Sequence, residues 1–203
     1  TNMDIQELYD SGKFEEVIKQ FRKGKPSPTL AFAYQKTKQW DEAMEIWTSL
    51  IAQYPDAAEY YVERGVCKFN LRFKHAIQDF DYAIEMESDN PYFYSCRAYI
   101  KDKTGDTEGS VEDYTKALEL DPEDAITLNN LGLAEQKLGF TSRSRERFKY
   151  SDDLLGVKTI DSRAPEDYQK LTHTPPEKTT LWQEFKKMLT KDGFKIFWKE
   201  LKG

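Results

Sequence analysis

Apolar and polar positions along the chain repeat over a long period. An aromatic residue, a small residue three further on and a second aromatic four beyond that occur at Trp40, Ala43 and Trp47, and again at Phe73, Ala76 and Phe80. With threonine in the leading place the pattern returns at Thr107, Ser110 and Tyr114 and at Thr141, Ser144 and Phe148. A weaker first copy is Phe14, Val17 and Phe21. The small residues are separated by 26, 33, 34 and 34 positions. Each copy carries two stretches of helical periodicity with a break between them. Gly12, Gly105 and Gly139 stand at the break, where a helix must turn and glycine takes a left-handed conformation cheaply. The third copy has Leu71-Arg72-Phe73 there, one residue shorter. Pro55 and Pro122 are expected to stop the second helix of their copies. One such hairpin cannot bury its apolar face alone, so the copies are expected to stack.

The order of positions resembles the tetratricopeptide repeat, whose pattern is W-x2-L-G-x2-Y, then A-x3-F, then P. The second copy gives Leu30-Ala31-x2-Tyr34, Ala43-x3-Trp47 and Pro55. The third gives Tyr61-x2-Arg64-Gly65-x2-Lys68 and Ala76-x3-Phe80, with Ser88 where proline is usual. The fourth gives Tyr94-x2-Arg97-Ala98-x2-Lys101, Ser110-x3-Tyr114, Ala117 and Pro122, and the fifth gives Leu128-x2-Leu131-Gly132-x2-Glu135 and Ser144-x3-Phe148. The resemblance spans residues 3 to about 156. It implies an all-α, right-handed superhelical solenoid of helix-turn-helix repeats with a C-terminal helical tail. The expected organisation is a degenerate N-terminal half repeat or cap over 1–23, then four repeats at 24–57, 58–90, 91–124 and 125–156. A linker over 157–179 and an amphipathic helix or helix pair over 180–203 follow. The small residues Ala31, Gly65, Ala98 and Gly132 are expected to let helix backbones approach, beside the aromatics Trp47, Phe80, Tyr114 and Phe148.

The tail has its own pattern. Thr180 with Gln183 has the form of a capping box, and Trp182, Phe185 and Leu189 share one helical face. Phe194, Phe197, Trp198 and Leu201 resume on a shifted phase after Lys191-Asp192-Gly193. Residues 177–203 hold seven lysines against four acids, behind a strongly acidic body. These aromatics are expected to dock the tail, first as a cap over the last repeat and second in a groove of this chain or a neighbour. An interfacial membrane helix ranks third, because a small positive charge with acids interleaved attracts anionic lipid weakly.

In the family, first helices line the concave side. Carried over, this implies a rung of apolar residues at Phe32, Val66, Tyr99 and Leu133, flanked by Glu63, Phe69, Asn70, Tyr92, Cys96, Asp102, Asn129, Asn130 and Lys137. Such a groove suits an amphipathic helix or an extended segment. The competing expectation is that some rungs are core, Val66 and Leu133 first among them. Some family members clamp acidic chaperone tails with Lys, Asn and Arg. The matching positions here read Pro28, Thr29 and Phe32, then Val62, Glu63 and Val66, then Ser95, Cys96 and Tyr99, so only Asn129 and Asn130 fit in part and that clamp is absent.

Composition narrows the function. The 203 residues carry a net charge of −6, and 33% of them are charged. No general basic footprint for nucleic acid is present, so no nucleic-acid partner is expected. The N-terminus lacks a basic segment followed by an apolar one, so no signal peptide is expected, and a cytoplasmic location follows as the expectation. Cys67 and Cys96 lie on first helices and are read as reduced packing residues, and His75 as solvent-facing. Too few soft ligands exist for a structural zinc, and no metal or cofactor is expected. Asp102-Lys103-Thr104-Gly105 resembles the phosphorylated aspartate sequence of ion-pumping ATPases, but it falls on a repeat turn and reads as chance. No Walker loop, GxSxG, HExxH or GxGxxG is present. The expected function is a non-catalytic scaffold that binds a protein or peptide in its concave groove, with any oligomer forming through the tail. Membrane contact is disfavoured, and the alternative is a membrane-peripheral adaptor acting through residues 181–201.

Overall fold

The breaks between helices close with one repeated pair of hydrogen bonds. In the computed structural model, which describes residues 4–156, the N–H of Gly12 donates to the carbonyl of Tyr9 at 2.9 Å and that of Lys13 to Leu8 at 3.0 Å. The same two bonds recur from Gly105 to Asp102 and Asp106 to Lys101, and from Gly139 to Gln136 and Phe140 to Glu135. They recur again where no glycine is present, from Lys38 to Gln35 and Gln39 to Tyr34, and from Arg72 to Phe69 and Phe73 to Lys68. This is the Schellman arrangement, which satisfies carbonyls that a helix end leaves open. Its central residue is left-handed, with φ of 74° at Gly12, 98° at Gly105 and 84° at Gly139, but also 62° at Lys38 and 65° at Arg72. Two of the turns therefore carry a side chain where glycine costs least.

Ten helices are present among the described residues: α1 (Ile5–Asp10), α2 (Phe14–Phe21), α3 (Pro28–Lys36), α4 (Trp40–Gln53), α5 (Ala58–Asn70), α6 (Ile77–Met86), α7 (Pro91–Thr104), α8 (Thr107–Leu120), α9 (Ala125–Lys137) and α10 (Thr141–Leu155). No strand is found among these residues. Odd-numbered helices open the hairpins and even-numbered ones close them. First helices α1, α3, α7 and α9 begin at side-chain caps, where Asp4, Ser27, Asn90 and Asp124 accept backbone N–H bonds, whereas α5 begins at Ala57 without one. α4 stops two residues before Pro55 and α8 two before Pro122. The third hairpin departs from the expected pattern. Its second helix starts only at Ile77, after turns in which Ala76 donates to Phe73 and Gln78 to His75, and this leaves Phe73 exposed rather than packed.

The chain divides into two compact units, Thr1–Phe148 and Lys149–Gly203. Within the first, each hairpin packs on the next, and first helices also touch first helices, as α1 with α3, α5 with α7 and α7 with α9. Of the second unit, the described residues 149–156 complete α10 and end at Gly156, with φ of 65°. The expected linker at 157–179 and the tail at 180–203, with Trp182, Phe185, Leu189, Phe194, Phe197, Trp198 and Leu201, lie outside the described residues.

The core of each hairpin is a ring seated on a residue too small to obstruct it. A Cβ placed on Gly65 would stand 2.6 Å from Cε2 of Phe80, and one on Gly132 would stand 2.6 Å from Cε1 of Phe148. At these two glycines the missing Cβ makes room for the aromatic ring expected beside it. Around Phe80, Ala58, Val62, Ala83, Ile84, Phe93 and Ile100 form one apolar cluster. Tyr114 packs with Ala98, Leu131 and Ala134 in the next.

Beside the rings of Phe80, Tyr114 and Phe148 lies a charged group that the repeat pattern does not call for. Asp79, just before Phe80, takes two hydrogen bonds from Arg64, at 2.9 and 2.8 Å, and a salt bridge from Lys68 at 2.9 Å. Asp113, just before Tyr114, is held the same way by Arg97 and by Lys101 at 2.9 Å. Arg97 also reaches back to Asp81 of the preceding hairpin at 2.8 Å. In the last hairpin the signs are exchanged, with Glu135 facing Arg147 at 3.6 Å. The second hairpin fills the corresponding places with Leu30, Tyr34 and Ile46.

Two outcomes follow for stability. Lys38→Gly and Arg72→Gly should each raise stability by about 0.5–1 kcal/mol as left-handed strain is relieved, whereas Gly105→Ala should lower it by a similar amount. Thermal melts of the three variants check the signs. Asp79→Ala should cost about 3–5 kcal/mol, because it leaves Arg64 and Lys68 without their countercharge. Urea titration should show that loss largely restored in the triple variant Arg64→Leu, Lys68→Tyr and Asp79→Ile, which copies the second hairpin.

Candidate functional site

The surface expected to receive a partner is built by the first helices, and the structure divides its residues into two groups. Tyr99 of α7 and Leu133 of α9 are exposed, at 40% and 38%. Lys137 of α9 bridges to Asp102 of α7, which also accepts a bond from Thr107 at 3.4 Å. The phenol of Tyr99 lies in this field. Burial and the Asp102 carboxylate push its pKa up, while Lys137 opposes them. The ammonium of Lys103 sits 5.2 Å from the Tyr99 ring. Asn129 and Asn130 on α9 are half-buried nearby in sequence, and Asn70 on α5 is exposed with its amide donating to the Val66 carbonyl at 2.8 Å. Tyr99, Asp102, Leu133 and Lys137 are thus brought together on consecutive first helices.

The second group is interior. Phe32, expected as a rung, is 8% exposed and meets Trp47 edge-on with centroids 4.8 Å apart. It is a core residue because its ring packs on the fully buried Trp47 ring. Val66, Phe69 and Tyr92 are half-buried and pack on the cluster around Phe80. Of the two rungs expected as core, Val66 packs on it, whereas Leu133 stands open, and Phe32, expected in the groove, is covered. Cys67 and Cys96 are both free thiols and both buried. Burial, only partly offset by a bond from Gln35, pushes the Cys67 thiol up to about 12. His75 is exposed, just before α6.

Glu63 was expected to face a partner, and it is the least exposed of the set, at 2%. Its carboxyl lies in the seam between first helices. One oxygen accepts a bond from Gln35 of α3 at 3.3 Å, and the same amide approaches the Cys67 sulfur at 3.3 Å. The other oxygen, Oε1, is buried with no hydrogen-bond partner, as is Oε1 of Gln35. Burial holds the Glu63 carboxyl well above the usual carboxylate range, Gln35 opposes this, and the charge of Glu59 adds to it. The next first-helix seam is polar too but fully paired, since Ser95 and Thr127 hydroxyls meet at 2.7 Å and Thr127 donates to Asp124 at 2.6 Å.

Sequence reasoning missed the Gln35–Glu63–Cys67 contact and the charged groups beside the rings. The signal for the latter was present, as Arg and Lys four apart in place of the pattern's Leu and Tyr, with an acid directly before the ring. Among the described residues no group of His, Cys, Asp and Glu is placed to hold a metal ion, and no helix is long and apolar enough to cross a membrane.

Comparison with known proteins agrees with this geometry. A TPR repeat model matches residues 102–139, and a tetratricopeptide repeat model matches residues 29–57. Hsc70-interacting proteins 1 and 2 of Drosophila melanogaster are each 30% identical over 114 residues, covering 56% of this chain and 29% of theirs. The chain thus spans under a third of the length of the curated relatives it matches. Among solved structures, a crystal structure of MamA superposes with a TM-score of 0.62 at 22% identity, covering 77% of this chain and 97% of that one. MamA from Desulfovibrio magneticus RS-1 gives 0.62 at 18%, covering 74% and 90%. The first TPR of Spaghetti (RPAP3), bound to the HSP90 peptide SRMEEVD, gives 0.50 at 24%, covering 54% and 87%. At these identities the likenesses show the fold.

The raised pKa of Glu63 predicts a pH signature. A carboxyl whose folded value lies above its unfolded value of about 4.5 adds stability that is fully present below the unfolded value and lost as pH rises through the folded one. Glu63→Gln should therefore melt above the parent at pH 8, and the gap should narrow toward pH 4.5. Paired melts across that range check it, and a gap that widens on acidification would contradict the assignment.

Proposed function

Because this chain is a tetratricopeptide-repeat protein, we propose that it is a non-catalytic scaffold that holds a protein or peptide against the inner face of its first helices. The observation that carries the proposal is the pair Tyr99 and Leu133, large apolar side chains left exposed on adjacent first helices beside the Asp102–Lys137 bridge. A fold that buries its other inner rungs leaves such residues open where a guest chain covers them. One solved neighbour of the same fold, the RPAP3 repeat domain, carries a peptide.

The ligand differs in chemistry from the acidic segment in that neighbour. The clamp positions hold Phe32, Val62, Ser95, Cys96 and Tyr99, with Glu63 among them, so no constellation of cations faces the inner side of α3, α5 and α7. A segment presenting apolar side chains at helical or extended spacing fits Tyr99, Leu133, Asn129 and Asn130 better. The work is taken to be done in the cytoplasm, in keeping with reduced, buried cysteines. The alternative of a membrane-peripheral adaptor rests on residues 181–201, outside the described residues, and no comparison supports it.

Tyr99→Asp should abolish partner capture and leave melting nearly unchanged, since the residue is exposed. Immobilised parent and variant chains are compared in affinity capture from native lysate, with Leu133→Asp as a second variant. At least one protein retained by the parent should be lost with both. An identical captured set, or a fall of many degrees in melting, would overturn the assignment of this face.

A further inference from the structure

The buried Glu63 is not something the fold requires. The same place on the other first helices holds Thr29, Cys96 and Asn130, so packing is satisfied without an ionisable group. A carboxyl taken from water without full hydrogen bonding is costly, and an unsatisfied buried group calls for an explanation. Oε1 of Glu63 and Oε1 of Gln35 are both buried without a hydrogen-bond partner, and both belong to residues more than nine-tenths buried. The phenol of Tyr9 on α1 also lies within electrostatic range of Glu63.

The surroundings are anionic. Glu59 lies one turn before Glu63 on the same face of α5, a spacing at which like charges repel, and Glu59 is exposed to solvent. The Glu87 carboxylate, at the end of α6, acts on Glu59 in turn. No lysine or arginine occurs in residues 39–63 or in residues 76–96, the stretches that supply α4, the first half of α5, α6 and the first half of α7. Arg64, the nearest cation in sequence, is already committed to Asp79 on the other side of its helix. The ring of Tyr92 lies within electrostatic range of Glu63 from α7.

We infer that Glu59 and Glu63, with Gln35 and Tyr92, form a receptor for one basic side chain of the bound segment, a lysine or arginine that enters past Glu59 and pairs with Glu63. A guanidinium there would bridge the two carboxylates, donate to the open oxygens of Glu63 and Gln35 and lie against the Tyr92 ring. The polarity is the reverse of a clamp built from cations, and it gives a partner two marks, apolar residues for Tyr99 and Leu133 and a basic anchor for α5. This inference rests on the groove reading above but is tested apart from it.

The experiment is an NMR titration of the isotopically labelled full chain with L-argininamide, and in parallel with citrullinamide, which replaces the guanidinium by a neutral ureido group. Argininamide should move the amide signals of Gln35, Glu59, Glu63 and Tyr92 in a saturable way and citrullinamide should not. Glu63→Gln should abolish the saturable shift, and Glu59→Gln, at an exposed site where folding is not at stake, should weaken it by about tenfold, the scale of one charge-assisted contact. Equal response to both amides, an undiminished response in either variant, or shifts spread over the acidic surface without saturation would overturn the receptor. Should it fail while Tyr99→Asp still loses a captured protein, the groove stands and only the basic anchor falls.

Discussion

A phenyl ring lying where a single methyl group would collide with it is the constraint on which this architecture turns. Phe80 over Gly65 and Phe148 over Gly132 fix how far apart the two helices of a hairpin stand and at what height they meet. Tyr114 packs with Ala98, a slightly larger small residue, and keeps the same logic. Once that contact sets each hairpin, the turn must end at one place, and the repeated Schellman bonds show that it does so whether or not a glycine is available. The hairpins then have a common shape, and a row of first helices is left with faces that no second helix covers.

Those faces are not uniform, and the difference bears on what they can hold. Toward the N-terminal side, at α3 and α5, the inner positions have turned inward: Phe32 completes an aromatic core and Glu63 sits in a buried polar seam with Gln35 and Cys67. Toward α7 and α9, Tyr99 and Leu133 face outward and the polar groups between the helices, Ser95, Thr127 and Asp124, satisfy one another. Residues at equivalent repeat positions thus have opposite exposures, because exposure depends on the neighbouring hairpin as much as on the position itself.

This explains how far the amino-acid pattern could be read. Helix order and the turn glycines were legible because each rests on a residue type with one dominant reason to be there. The late start of α6 was not, since Phe73 and Ala76 keep the expected spacing and only the hydrogen bonds of the turn show that the helix begins after them. The inner face was legible as a list of residues and not as a division between buried and open. Tyr99 and Phe32 occupy the same place in the repeat. What separates them is that Trp47 reaches Phe32, a contact that lies across the fold and leaves no mark on local spacing. The charged groups beside the rings were visible as departures from the pattern, but their meaning required seeing that Asp79 and Asp113 are nearly sealed from water.

The exchange of signs in the last hairpin has an evolutionary consequence. Glu135 and Arg147 stand where Lys101 and Asp113 stand one period earlier, so the two members of each pair have changed together, and each buried charge finds its opposite inside its own hairpin. A hairpin that carries its own neutralisation can be copied, lost or exchanged through recombination without stranding an ion in its neighbour. The bridges that do cross such a boundary, Arg97 to Asp81 and Lys137 to Asp102, each have one partner about half exposed, where water can take its place.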